Sequence, residues 1–122
     1  MANLETILII DDDVALTKVL REELQSVGYN IEVINDGQEA LERLTSEYFD
    51  LILLDLILPK MDGFAVLSEL KKDPELKNIP VIVLTNLEGT ADVEKALELG
   101  ATTYLVKANY NLDEVIEKIK KA

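Results

Sequence analysis

Apolar residues recur along this chain in two alternating rhythms. Short runs of strand length cover 6–10 (Thr-Ile-Leu-Ile-Ile), 31–34 (Ile-Glu-Val-Ile), 51–54 (Leu-Ile-Leu-Leu), 81–84 (Val-Ile-Val-Leu) and 102–106 (Thr-Thr-Tyr-Leu-Val). Between them, apolar positions fall at helical spacing. Leu16, Val19, Leu20, Leu24 and Val27 mark a first helix, and Gly28 is suited to end it. Ala40, Leu41 and Leu44 mark a second, opened by Asp36 and Glu39 as a capping box. A third starts near Gly63, carries Phe64, Leu67 and Leu70 on one face, and is broken by Asp73-Pro74. A fourth spans roughly 88–99 with Val93, Ala96 and Leu97, and stops at Gly100. Asn111 caps a fifth. Asp113 and Glu114 lie in its first turn and Lys118, Lys120 and Lys121 in its last turns, which complements the helix dipole.

Strand followed by helix, repeated along the whole chain, implies an α/β fold with a parallel sheet and helices on both faces. The first, third and fourth runs are the most uniformly apolar and take the central places. The second, interrupted by Glu32, and the fifth, with Thr102, Thr103 and Tyr104, take the edges. The strand order 2-1-3-4-5 satisfies this, a five-stranded flavodoxin-like (βα)5 arrangement. Residues 1–122 are expected to form a single domain, with no linker, internal repeat or output domain.

The third run, extended as Asp50-Leu51-Ile52-Leu53-Leu54-Asp55, poses a chemical problem. A carboxylate at the end of a strand buried on both faces is costly unless it lies at the exit or is paired. Pro59, Asp62 and Gly63 follow at once, so the strand ends near Asp55. The other apolar strands end in polar residues too: the first in Asp11-Asp12, the fourth in Thr85, the fifth in Lys107. In an open parallel sheet these ends share one edge, and ligands bind where the connections change direction, here between strands one and three. Asp11, Asp12 and Asp55 are therefore expected in one crevice, with Thr85 and Lys107 beside it. Singly, an acidic triplet is a solvated helix start and a lone lysine a surface group. Four strand ends with matching chemistry are a different matter.

Composition narrows the chemistry. The chain has no histidine and no cysteine, so it supplies no imidazole or thiolate of its own, and oxygen is left as the metal ligand. Hard ions such as Mg²⁺, Mn²⁺ or Ca²⁺ follow. With only two or three carboxylate ligands and room for water, Mg²⁺ is the natural choice, with Mn²⁺ able to stand in. A net charge of −12 disfavours direct contact with nucleic acid or an anionic membrane. The first residues, Met1-Ala2-Asn3-Leu4-Glu5, lack the shape of a signal peptide, and no apolar run reaches transmembrane length, so a cytoplasmic location is expected. Three clustered carboxylates repel one another, and a divalent cation resolves the conflict. A cation and an ammonium around a carboxylate suit a dianionic phosphoryl group. Asp55 then reads as the nucleophile that becomes an acyl phosphate. Asp12 binds the metal directly, Asp11 assists through water, and the Ile57 backbone carbonyl adds a ligand. Lys107 and the Thr85 hydroxyl contact phosphoryl oxygens.

The segments Ile9-Ile10-Asp11-Asp12, Leu53-Leu54-Asp55-Leu56-Ile57-Leu58-Pro59-Lys60-Met61-Asp62-Gly63, Val83-Leu84-Thr85 and Tyr104-Leu105-Val106-Lys107 together resemble a response-regulator receiver domain of two-component signalling, of the single-domain, chemotaxis-regulator type. The resemblance covers the whole chain. It implies phosphotransfer to Asp55 from a phosphohistidine on a sensor histidine kinase or histidine phosphotransfer protein. It also implies a switch in which Thr85 moves toward the phosphoryl group and Tyr104 turns inward, remodelling a face that binds a downstream protein. The implied assembly is a monomer or a weak phosphorylation-dependent dimer. Two positions depart from the family. Asn86 stands where a small residue is usual, and Ala108 where proline, often with a cis bond, is usual. Either the Lys107–Ala108 bond keeps a cis form costing roughly 2.5–4 kcal/mol, or it is trans and the loop shifts, altering the placement of Lys107. An adaptor that works without phosphorylation is the alternative reading. A phosphohydrolase of the haloacid-dehalogenase type is opposed by Ile57, which stands where such enzymes need a second aspartate.

Overall fold

The computed structural model describes residues 5–122. The reading of the chain's start as free of a signal segment falls largely on residues 1–4, outside the described residues. From there the order is β1 (Thr6–Ile10), α1 (Val14–Ser26), β2 (Asn30–Ile34), α2 (Gly37–Leu44), β3 (Leu51–Leu54), α3 (Gly63–Lys72), β4 (Val81–Thr85), α4 (Thr90–Glu98), β5 (Thr103–Val106) and α5 (Leu112–Lys120). A short 3-10 turn, Lys107–Asn109, precedes α5. The strands form one parallel sheet in the order β2-β1-β3-β4-β5. This is the flavodoxin-like arrangement that the apolar runs predict.

The unbroken runs are explained by burial on both sides. Successive side chains of a strand point to opposite faces. Leu8, Ile10, Ile52, Leu54, Val81 and Val83 pack with Ala40, Leu44, Val66, Leu67, Leu70 and Ala96 of α2, α3 and α4. Their alternates Ile7, Ile9, Leu51, Leu53, Ile82 and Leu84 pack with Leu20 and Leu24 of α1 and with Val115, Ile116 and Ile119 of α5. The connection leaving β1 therefore runs over one face and that leaving β3 over the other. A crevice opens between the carboxyl ends of these two neighbouring strands.

Local polar chemistry sets the element ends. Asp13 caps α1 by accepting from the Leu16 amide at 3.1 Å, and Asp62 caps α3 through the Ala65 amide at 2.9 Å. At α2 only half of the expected capping box forms: Asp36 accepts from the Glu39 amide at 2.8 Å. The reciprocal arrangement occurs instead at α5, between Asn111 and Glu114. Helix α4 begins at Thr90, later than the apolar pattern suggests, behind Gly89, which offers no side-chain cap. Thr102 lies just before β5, where its hydroxyl accepts from the Val81 amide at 3.2 Å and its own amide donates to the Val81 carbonyl at 2.8 Å.

Gly63 lets two backbone segments meet near the crevice. A Cβ on Gly63 would lie 2.4 Å from the Asp55 carbonyl oxygen and 2.6 Å from the Leu56 Cα. Both are backbone atoms with little room to yield. Gly63→Ala is therefore expected to lower stability by about 1–3 kcal/mol, the usual cost of overpacking. The measurement is a urea titration, with a lower midpoint at unchanged slope.

Candidate functional site

Each strand entering the crevice delivers its polar residue as the hydrophobic run ends. Asp11 follows β1, with its amide donating to the Ile34 carbonyl at 3.1 Å, so the sheet ladder itself fixes its place. Asp55 follows β3 in the same way, its amide donating to the Ile10 carbonyl at 2.9 Å. Both carboxylates are buried, at 4% and 5% residual exposure, whereas Asp12 is exposed.

Lys107, leaving β5, spans the two buried acids. Its Nζ lies 3.0 Å from Asp11 Oδ2 and 3.1 Å from Asp55 Oδ2. The remaining oxygens are also engaged. Asp11 Oδ1 accepts from the Asp13 amide at 2.9 Å, and Asp55 Oδ1 accepts from the Ile57 amide at 3.2 Å. Burial raises the Asp11 carboxyl above its ordinary range, and the nearby Asp55 charge adds to this. The Asp13 amide and Lys107 work the other way. For Lys107, burial favours the neutral amine, but the two carboxylates outweigh it and hold the ammonium above its ordinary range.

Of the two alternatives at Lys107–Ala108, the structure has the trans bond, and the described residues contain no cis peptide. The chain enters the Lys107–Asn109 turn there, and the lysine still reaches both acids. Ala108 and Asn86 are both exposed at the loops beyond their strands.

Thr85, at the end of β4, is fully buried, and its Oγ1 accepts from the Leu87 amide at 3.4 Å. Tyr104 is half-buried on β5, and its hydroxyl donates to the Leu87 carbonyl at 2.9 Å. Leu87 thus joins Thr85 to Tyr104 through its backbone. The side-chain pattern of the sequence carries no signal for this link, because any residue supplies an amide and a carbonyl. Burial raises the Tyr104 phenol, with Asp92 and Asp55 adding to the effect.

One carboxylate oxygen each from Asp11, Asp12 and Asp55 lies within 4.8 Å of the others. Against these three negative charges stands the single ammonium of Lys107. The surplus charge and the all-oxygen donor set fit a hard divalent cation. Ile57 has an exposed side chain and already uses its amide on Asp55. Among the described residues no helix is long and apolar enough to cross a membrane.

The family model of the response regulator receiver domain matches residues 7–120. A probable transcriptional regulator, ycf27, of Guillardia theta is 41% identical over 103 residues, which is 84% of this chain and 39% of that protein. The chain spans less than half the length of the curated relatives of this kind that it matches. Among solved structures, the phosphorylated cyanobacterial phytochrome response regulator RcpA is similar at a TM-score of 0.84 and 34% identity, over 98% of this chain and 91% of that one. The Mn²⁺-bound form of response regulator Rcp1 is similar at a TM-score of 0.82 and 35% identity, over 96% and 90%. With its sheet order, its acidic crevice and a match along nearly its full length, this chain belongs to the response regulator receiver domain family.

Proposed function

We propose that this chain accepts a phosphoryl group on Asp55 and thereby switches a protein-binding face. The observation that carries the reading is the contact of Lys107 with both Asp11 and Asp55 inside a cluster of three carboxylates. An acyl phosphate formed at Asp55 adds anionic oxygens where one ammonium is already held in place. In the step itself, a carboxylate oxygen of Asp55 forms the new bond to phosphorus. The bond from phosphorus to the imidazole nitrogen of a partner's phosphohistidine breaks, and its electron pair stays with the imidazole. Lys107 holds the moving oxygens by charge and the buried Thr85 hydroxyl by hydrogen bonding. Positioning and charge neutralisation of this kind are most of what phosphoryl transfer needs.

Asp12, Asp11, Asp55 and the Ile57 carbonyl would hold the cation, with Mg²⁺ the proposed ion and Mn²⁺ able to replace it. When bound, it supplies further neutralisation of phosphoryl charge. The donor is a sensor histidine kinase or histidine phosphotransfer protein. The receiver assists only its own phosphorylation and dephosphorylation and turns over no separate substrate. Thr85, drawn toward the phosphoryl group, gives up the Leu87 amide. Leu87 then no longer fixes the Tyr104 hydroxyl in its present position, which couples the crevice to the face formed by α4, β5 and α5. A downstream protein reads that face. We propose a single receiver unit over 1–122, cytoplasmic, monomeric or weakly dimeric when phosphorylated, with no direct contact to nucleic acid or membrane. The name of the ycf27 relatives concerns proteins more than twice this length.

Incubation with a small-molecule phosphodonor and Mg²⁺ is expected to add the mass of one phosphoryl group, and Asp55→Asn is expected to add none. Equal gains in both, or no gain in the parent chain, would instead favour a phosphorylation-independent adaptor. Intact mass spectrometry reads this directly. Cation binding has its own thermodynamic signature. At a hundredfold excess over its dissociation constant, Mg²⁺ is expected to stabilise the fold by about 2.7 kcal/mol, by mass action. In Asp12→Asn this gain is lost, while the cation-free variant is more stable than the parent because one of three clustered charges is gone. Urea titrations with and without Mg²⁺ test both signs.

A further inference from the structure

Lys60 lies in the loop that carries the chain from Asp55 to α3. Its φ is 65°, and among the described residues it is the only non-glycine with a positive value. The Met61 amide donates to the Pro59 carbonyl at 2.7 Å, closing a three-residue turn around it. Turns of this kind with a positive φ at the centre are rare and strained. Strained residues persist where the surroundings over-determine them, and they gather at functional sites.

The surroundings here are the corner between β2 and α2. Asp36 is buried and works in two directions. Its Oδ1 caps α2, and its Oδ2 faces the Lys60 ammonium at 3.8 Å. Beside it, a Cβ on Gly37 would come within 2.3 Å of the Met61 carbonyl oxygen, so the loop rests directly on the first residue of α2. On its inner side the same loop is tied to the crevice. The Ile57 amide donates to Asp55 Oδ1, and the Gly63 amide donates to the Leu56 carbonyl at 3.0 Å.

We propose that Lys60 is a positioning residue for the phosphoacceptor. Its left-handed turn, anchored to Asp36 and seated on Gly37, holds the loop so that the Ile57 amide stays on the Asp55 carboxylate. The inference rests on the phosphoacceptor reading of Asp55 for its consequence, but its geometry is independent of that reading. The restraint bears on Asp55 Oδ1, whereas Lys107 engages Oδ2. Lysine thus acts here through a backbone shape and one anchoring charge, not by touching the phosphoryl group.

A substitution series separates these roles. Lys60→Ala keeps the strained geometry and removes the anchor. Lys60→Arg keeps both. Lys60→Gly removes the anchor and the strain together. Hydrogen exchange of the Ile57 amide in the unphosphorylated protein, read by NMR, is expected to be about two- to fivefold faster in Lys60→Ala, the scale of one exposed ion pair. The rate of Asp55 phosphorylation by a small phosphodonor is expected to fall by about the same factor. Lys60→Arg and Lys60→Gly are expected to stay near the parent in both. Exchange and phosphorylation unchanged in Lys60→Ala would overturn the proposal. So would a Lys60→Gly as slow as Lys60→Ala, which would mean that the lysine only attracts the anionic donor. Should the parent chain take no phosphoryl group, the phosphoacceptor reading fails, and the exchange of Ile57 alone decides the positioning role.

Discussion

Lys107 holds its ammonium 3.0 Å from one buried carboxylate and 3.1 Å from another. Two acids at neighbouring strand ends, both nearly without solvent, repel strongly in a medium of low dielectric constant. Without a cation between them, the carboxyl ends of β1 and β3 would carry an uncompensated charge at the centre of the sheet edge. The lysine comes from β5, two strands away from β3, so the contact closes only when the sheet is complete. Site and fold are in this sense one object, because the strand order that buries the apolar runs also brings together the charges.

The contact leaves a surplus of negative charge, and that surplus organises the crevice. Asp12 is exposed, so its charge is solvated and available, while Asp11 and Asp55 are confined by burial and by backbone amides. A site of this kind is fixed on its inner side and open on its outer side. Around it, the flanking loops are held by backbone more than by side chains. Leu87 links Thr85 to Tyr104 with its amide and carbonyl, and Met61 meets Gly37 with its carbonyl. Both links reach from the crevice to a helix-bearing corner, one toward α4 and the other toward α2.

Much of this was legible in the linear pattern because its causes are local. Strands buried on both faces must be continuously apolar, so their number, order and exits follow from the runs and their interruptions. The acids and the lysine were legible for the same reason: a charged residue at the end of such a run has few places to go. The half-formed capping box at Asp36 was less legible, because its missing half is a bond from the Asp36 amide to the Glu39 side chain, which the residue pattern permits but does not require. The late start of α4 at Thr90 reflects a helix with little to bury, Ala96 being its buried residue, so apolar spacing marks its limits poorly.

The sequence by itself determined the alternation of strand and helix, the flavodoxin-like order and the residues that close each strand, since these depend on which side chains can leave water. The tertiary structure alone decided how those residues meet. It placed Lys107 on both acids through a trans bond to Ala108. It bent Lys60 into a left-handed turn and made Leu87 a joint between Thr85 and Tyr104. Such features depend on backbone atoms and on contacts between segments far apart in the chain. Backbone amides and carbonyls are the same at every residue, so no pattern of side chains encodes which of them will be used.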